Sequence, residues 1–386
     1  MKLNFLTQMR EAAQHFINKT IPQQRAAGRP QPAMRDINPP PPSAAPARPA
    51  PEAEPPHAAP NPATHPAEFA QDILTRMGIN VDLQANLERA IDLGARRHPT
   101  PVQPPADGAQ FLSGSYTNHA GTRNYKLYIP ASYHGQAMPL LVMLHGCTQN
   151  PDDFAAGTQM NQLAEEMGCF VVYPEQNANA NHSKCWNWFN AIDQQRGQGE
   201  PSIIAGIAQQ IIEDYPVNER QVYVAGLSAG GAMAVIVGTL YPELFAAVGV
   251  HSGLPFASAQ DLPSALTAMK RGVHRAAKAG NGSQPIIVFH GDSDTTVNPV
   301  NGEQVMAQRL HHHRGARPLV QSGAVPNGYR YTQTTHTTAD GTPVGEHWVV
   351  HGAGHAWSGG STSGSYTDAK GPDASREMLR FFRTVS

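Results

Sequence analysis

The chemistry-bearing group in this chain is a serine flanked by glycines two residues to either side, Gly226-Leu227-Ser228-Ala229-Gly230. An apolar run at 221–225 precedes it and a helical pattern at 229–240 follows it. A serine in such a strand-to-helix elbow is held in strained backbone geometry, with its hydroxyl projecting from the carboxyl edge of a sheet. Side chains on the two flanking residues would collide with the neighbouring strand and helix, which is why both are glycine. A hydroxyl is a weak nucleophile at neutral pH unless an imidazole takes its proton, and the imidazole needs a carboxylate to fix its tautomer. An acid and then a histidine are therefore expected downstream, and both are present. The run at 285–289 ends in His290-Gly291-Asp292-Ser293-Asp294, and that at 347–350 leads into Gly352-Ala353-Gly354-His355-Ala356-Trp357. Ser228 is read as nucleophile, Asp294 as the residue orienting the base, and His355 as the base that later acts as acid. Asp292 is the rival acid, disfavoured by its position in the motif. His351 is the rival base, expected to pack because it ends a strand.

An oxyanion needs two N–H donors. The first is the amide of Ala229, at the start of the helix after the elbow. The second is expected after the run at 140–144, which continues His145-Gly146-Cys147-Thr148-Gln149; Cys147 is the first choice and Thr148 the second. Trp186 and Trp188, in Cys185-Trp186-Asn187-Trp188-Phe189, stand in a polar stretch and are read, with Trp357, as lining an apolar acyl pocket. The chemistry as read calls for no cofactor and no metal. His311, His312 and His313 fall at the end of a helical pattern, where cations suit the helix dipole.

The elements that must position these residues alternate. Short β-branched runs at 125–129, 140–144, 169–173, 221–225, 246–250, 285–289 and 347–350 read as strands, several of them apolar throughout, as strands covered on both faces are. Helical patterns fall at 153–167, 202–214, 229–240, 262–277, 302–311 and 375–385. The fold class is α/β, a mostly parallel sheet with helices on both faces. The order Ser, Asp, His is that of the α/β-hydrolase fold.

Of the 386 residues only 15% are charged, and 28 Lys and Arg against 30 Asp and Glu leave no basic footprint for nucleic acid. No run of about 18 apolar residues exists to form a transmembrane helix. Of 34 prolines, 14 fall between Pro30 and Pro66, so this stretch is expected to be an extended linker and the folded domain to occupy 107–386. Within the leader, 1–106, segments 1–21 and 69–93 space apolar residues as amphipathic helices do, suited to lying on the domain or on an apolar surface. Polar residues interrupt the first segment, which excludes a secretory signal core.

At these residues the sequence resembles the polyhydroxybutyrate depolymerase family of esterases, related to feruloyl and acetylxylan esterases. The resemblance covers 113–386. It rests on Leu144-His145-Gly146-Cys147-Thr148-Gln149, Tyr173-Pro174-Glu175-Gln176, Cys185-Trp186-Asn187-Trp188-Phe189, Tyr223-Val224-Ala225-Gly226-Leu227-Ser228-Ala229-Gly230-Gly231-Ala232-Met233, His290-Gly291-Asp292-Ser293-Asp294 and Gly354-His355-Ala356-Trp357. It implies hydrolysis of short hydroxyacyl or aryl esters through an acyl-serine, with Ser228, Asp294 and His355 as the triad, and a disulfide joining Cys147 to Cys185. Unlike secreted members, this sequence shows neither a signal peptide nor a C-terminal polymer-binding domain. That suggests a cytoplasmic or granule-associated enzyme whose leader contacts a polymer granule, whereas a disulfide suggests export. The alternatives are a carbohydrate esterase releasing ferulate or acetate, and a catalytically idle binding protein on the same fold.

Overall fold

The computed structural model describes residues 106–273 and 282–385. The leader helices expected at 1–21 and 69–93 and the proline-rich linker between them lie outside the described residues. In chain order the strands are β1 (Gln110–Asn118), β2 (Gly121–Ile129), β3 (Met138–Leu144), β4 (Phe170–Pro174), β5 (Val217–Leu227), β6 (Ala247–His251), β7 (Ile286–Gly291), β8 (Arg317–Ala324), β9 (Arg330–Thr337), β10 (Pro343–His351), β11 (Trp357–Ser358) and β12 (Thr367–Asp368). The helices are α1 (Pro151–Thr158), α2 (Met160–Met167), α3 (Gly199–Asp214), α4 (Ala229–Leu240), α5 (Leu262–Arg271), α6 (Val300–Leu310) and α7 (Ala374–Thr384).

Ten strands form one sheet in the order β1-β2-β4-β3-β5-β6-β7-β10-β9-β8. The central strands β4, β3, β5, β6, β7 and β10 run parallel, and antiparallel strands extend the sheet at both sides. Side chains alternate between faces along each strand, which divides the core in two. Leu140, Val142, Leu144, Val222, Val224, Val248 and Val250 pack on one face with α3 and α4. Leu141, Met143, Tyr223, Ala225, Ile287 and Phe289 pack on the other with α1, α2 and α7. After β3 the chain crosses outward to β4, and after β5 it crosses the opposite way to β6. The topological switch point thus falls between β3 and β5, where open α/β sheets place their ligands, beyond the carboxyl ends of the strands.

Three expectations are corrected. The helix read at 153–167 is two helices, because Gln159 turns left-handed at φ 56° between α1 and α2. The helix read at 262–277 ends at Arg271, where Gly272 adopts φ 68° and its N–H closes on the Ala268 carbonyl. Strands β1, β8 and β9 were not expected: β8 is exposed along nearly its whole length, so no apolar alternation marks it.

Candidate active site

The elbow forms as its residue types require. Ser228 has φ 57° and ψ −118°, the strained geometry anticipated for an elbow serine, and costs about 1–3 kcal/mol of backbone strain. Its N–H is held by the His251 carbonyl at 2.8 Å, and its own carbonyl accepts the Ala232 N–H at 2.9 Å. A Cβ on Gly226 would lie 2.4 Å from Gly230, and one on Gly230 only 2.0 Å from the Leu144 carbonyl oxygen. Glycine at both places lets α4 start against the end of β3.

Asp294 and His355 come together across 61 residues, the imidazole Nδ1 lying 2.7 Å from the carboxylate Oδ2. The amides of Thr296 and Val297, each at 2.9 Å, occupy the other oxygen, Oδ1, and fix the carboxylate. Burial opposes the charge on Asp294, but the imidazoles of His355 and His290 outweigh it and hold the carboxyl below the usual range. A carboxylate only accepts, so His355 carries its proton on Nδ1 and leaves the Nε2 lone pair for a proton from the substrate side. Among the described residues the Ser228 hydroxyl makes no hydrogen bond of its own; a nucleophile–base bond of this kind commonly tightens only with substrate in place.

The rivals pair with each other. Asp292 Oδ2 lies 2.9 Å from Nδ1 of His351 and its Oδ1 accepts the Gly352 N–H, in an exposed position. His351 does not pack as expected. It is half-exposed, with Nε2 bonded to Thr332 on β9.

On the oxyanion side, the Thr148 amide is taken by the Ser183 carbonyl at 2.7 Å and the Gly146 amide by Gln149 Oε1 at 2.9 Å. That leaves the Cys147 N–H as the loop's available donor among the described residues, beside the first N–H of α4 at Ala229. The loop is pinned from beneath. His145 accepts the Gln176 N–H on Nε2 and donates from Nδ1 to the Gly146 carbonyl, and burial keeps it neutral, its pKa pushed down to about 4. A disulfide joins Cys147 to Cys185. Closing a loop across a separation of 38 residues stabilises by about 4 kcal/mol in the chain-entropy account.

The tryptophans do not line an open pocket. Trp186, Trp188 and Trp357 are 0%, 5% and 1% exposed and belong to the core. Trp186 donates its indole N–H to the His145 carbonyl, and Trp357 donates to Ser375 while stacking on His251 at 5.2 Å. Sequence reasoning also missed the polar network that lets the Trp-rich loop be buried. Arg123 bonds to Gln176 and Glu200, and Glu200 accepts from the backbone and side chain of Asn187, so the loop's polar groups are satisfied. Nearby, burial and then the Glu200 charge push the Asp193 carboxyl up. No local signal marks a pairing such as Arg123 with Glu200.

The chain matches the family described as Esterase PHB depolymerase over residues 123–319, just over half its length. Poly(3-hydroxyalkanoate) depolymerase C of Paucimonas lemoignei is 33% identical over 256 residues, covering 63% of this chain and 60% of that protein. The chain thus spans about 60% of the length of that relative. Acetylxylan esterase A of Talaromyces purpureogenus is 28% identical over 284 residues, 67% of this chain and 73% of its own. An acetyl xylan esterase from Aspergillus awamori shares the fold, with a TM-score of 0.55 at 19% identity over 72% of this chain and 99% of that one. By the family match, this chain, with its α/β-hydrolase fold, belongs to the Esterase PHB depolymerase family.

Proposed function

We propose that the chain is a serine esterase that hydrolyses short hydroxyacyl esters, poly(3-hydroxybutyrate) or its oligomers, through an acyl-serine intermediate. The observation that carries it is the bond between Asp294 and His355 at the same sheet edge as the strained Ser228. Ser228 Oγ attacks the ester carbonyl carbon and its proton passes to His355 Nε2. The oxygen that becomes negative is held by the amides of Cys147 and Ala229. Collapse expels the alcohol, which leaves with the proton from His355. Water then attacks the acyl-serine, giving its proton to the same nitrogen, and collapse releases the acid as that proton returns to Ser228 Oγ. A group that removes one donor from such an oxyanion site typically costs about 10²–10³ in kcat, so the Cys147 loop matters as much as the nucleophile's surroundings.

The family match and the depolymerase relative support the hydroxyacyl substrate. The acetylxylan esterase relative favours a second reading, deacetylation of a polysaccharide. The purified protein and its Ser228→Ala variant should be assayed on 3-hydroxybutyrate oligomers, acetylated xylan and methyl ferulate. The proposal expects 3-hydroxybutyrate release by the wild type alone. Acetate release from xylan with untouched oligomers would replace it with the second reading, and equal hydrolysis by Ser228→Ala would remove the nucleophile. For the leader we propose contact with a polymer granule inside the cell; deleting 1–105 should lower granule binding and spare hydrolysis of a soluble p-nitrophenyl ester.

A further inference from the structure

The motif that delivers Asp294 begins with a histidine to which the mechanism above gives no task. His290 lies near the end of β7, opposite Val349 of β10, on the sheet face that also carries Ile286 and Val288. Its side chain is 1% exposed. Helix α6 crosses so closely that a Cβ on Gly302 would stand 2.7 Å from His290 Nδ1. That nitrogen is buried with no hydrogen-bond partner among the described residues. Half of the imidazole's bonding capacity is thus unmet, and an apolar side chain would fill the same core position without losing hydration.

The other nitrogen accounts for the imidazole. Nε2 lies 2.9 Å from the Val297 carbonyl, which can only accept, so His290 carries a proton on Nε2. The same nitrogen is 3.5 Å from Asp294 Oδ2, the oxygen that holds His355 Nδ1 at 2.7 Å. Val297 is engaged from both sides: its N–H goes to Asp294 Oδ1 while its carbonyl receives His290. Asp294 therefore has two amides on Oδ1, one imidazole bonded to Oδ2 and the N–H of a second imidazole close beside it. At 3.5 Å this last contact is too long for a strong hydrogen bond, but both side chains are buried, so the field of the N–H dipole is little screened.

We infer that His290 is a positioning residue of the triad: through the Val297 carbonyl and through its N–H beside Oδ2, it fixes the Asp294 carboxylate and tempers the pull of that carboxylate on the His355 proton. This deepens the esterase reading and rests on it. A carboxylate with fewer donors is more basic and stabilises the His355 cation more. Losing the His290 N–H therefore lets the base stay protonated, and unable to take the Ser228 proton, up to a higher pH. The other titratable groups around the pair have separate roles. His251 at the end of β6 and His347 on β10 are in electrostatic contact with His290, and burial keeps both neutral, their pKa values pushed down to about 3 and about 4. Lys270 on α5 feels the Asp294 charge and donates from Nζ to the Thr295 carbonyl at 2.7 Å. Asp292 and His351 are paired with each other at an exposed position.

The test is the pH profile of kcat/KM for p-nitrophenyl butyrate, with urea unfolding to confirm the fold. His290→Leu fills the space and removes the donor. Its kcat should fall about tenfold with KM within about threefold, since a buried imidazole meets no substrate, and the acid limb should move up by about 0.5–1 pH unit, the range of one neutral hydrogen bond. His290→Gln, whose amide reaches where Nε2 stood, should return both towards wild type. A folded His290→Leu whose acid limb stays in place or moves down has lost packing alone and overturns the inference, as does a glutamine variant no nearer wild type than the leucine one. In the wild type itself, nitrogen-15 NMR should find a His290 proton on Nε2 across the active pH range; a bare Nε2 overturns the inference even where the leucine variant does not fold. A wild type inert to the ester overturns the esterase reading and the inference with it.

Discussion

Replacing Gly230 by alanine tests the coupling between the elbow and the oxyanion loop. The new Cβ would stand 2.0 Å from the Leu144 carbonyl oxygen and 2.6 Å from that of His145, where real Cβ atoms essentially never come within 3.0 Å. The atoms in the way are backbone, so no rotamer change relieves the clash, and the end of β3 must withdraw by about 1 Å, the difference between those limits. Cys147 lies three residues beyond Leu144, so the oxyanion donor moves with it. A misplacement of about 1 Å typically costs about 10²-fold in rate, and overpacking costs about 1–3 kcal/mol of stability. Gly238, at the far end of α4, is the control: an alanine there would meet the Val248 side chain on β6, at 2.4 Å, and no backbone of the oxyanion loop. Alanine is intrinsically better than glycine in a helix interior by about 1 kcal/mol, so a loss at either site measures contact rather than propensity. Steady-state turnover of p-nitrophenyl butyrate and urea unfolding should show Gly230→Ala losing about 10²-fold in kcat, with Gly238→Ala near wild type in kcat. The reasoning fails if Gly230→Ala stays within about threefold of wild-type kcat, or if Gly238→Ala loses as much.

Asp294→Asn keeps the size of the side chain but offers an amide to His355, so the wrong tautomer is favoured; kcat should fall about 10⁴-fold while thermal unfolding shows a folded protein, and a loss under tenfold would reassign the acid. Burial holds His145, His251 and His347 neutral, their pKa values pushed down to about 4, 3 and 4. The unfolded chain takes up these protons near pH 6.5 while the folded protein refuses them until well below. Stability should therefore fall as pH drops from about 6.5 towards 4, by up to about 1.4 kcal/mol per pH unit for each histidine. Urea midpoints that stay level between pH 7.5 and 5 contradict this. The depressed Asp294 carboxyl acts in a separate, lower window: its contribution is complete above the ordinary carboxylate value of 3.8 and is lost below it. Trp186→Ala should cost about 3–5 kcal/mol of stability, since the ring is fully buried, and leave the KM for butyrate esters unchanged in the folded fraction; the reverse pattern would restore the acyl-pocket reading.

What the sequence disclosed and what it hid follow from the range of the forces involved. Strands β3 to β7 were legible because burial on both faces demands unbroken apolar runs, and an elbow is legible because its glycines answer local clashes. Strands β8 and β9 were not, since residues such as Leu319 and Val320 are exposed on an edge and nothing in their own side chains records the pairing. The tryptophans misled for a related reason. Two indoles in a polar stretch look like a binding surface when read locally, because the groups that allow them to be buried are distant: Arg123 on β2 pairs with Glu200 on α3, 77 residues away, and Gln176 after β4 bonds to the Cys185 carbonyl. With those partners in place, the loop's amides and carbonyls are satisfied, and Trp186 can turn inward to hold the His145 carbonyl. The aromatic loop thus acts on the site through the backbone beneath Cys147.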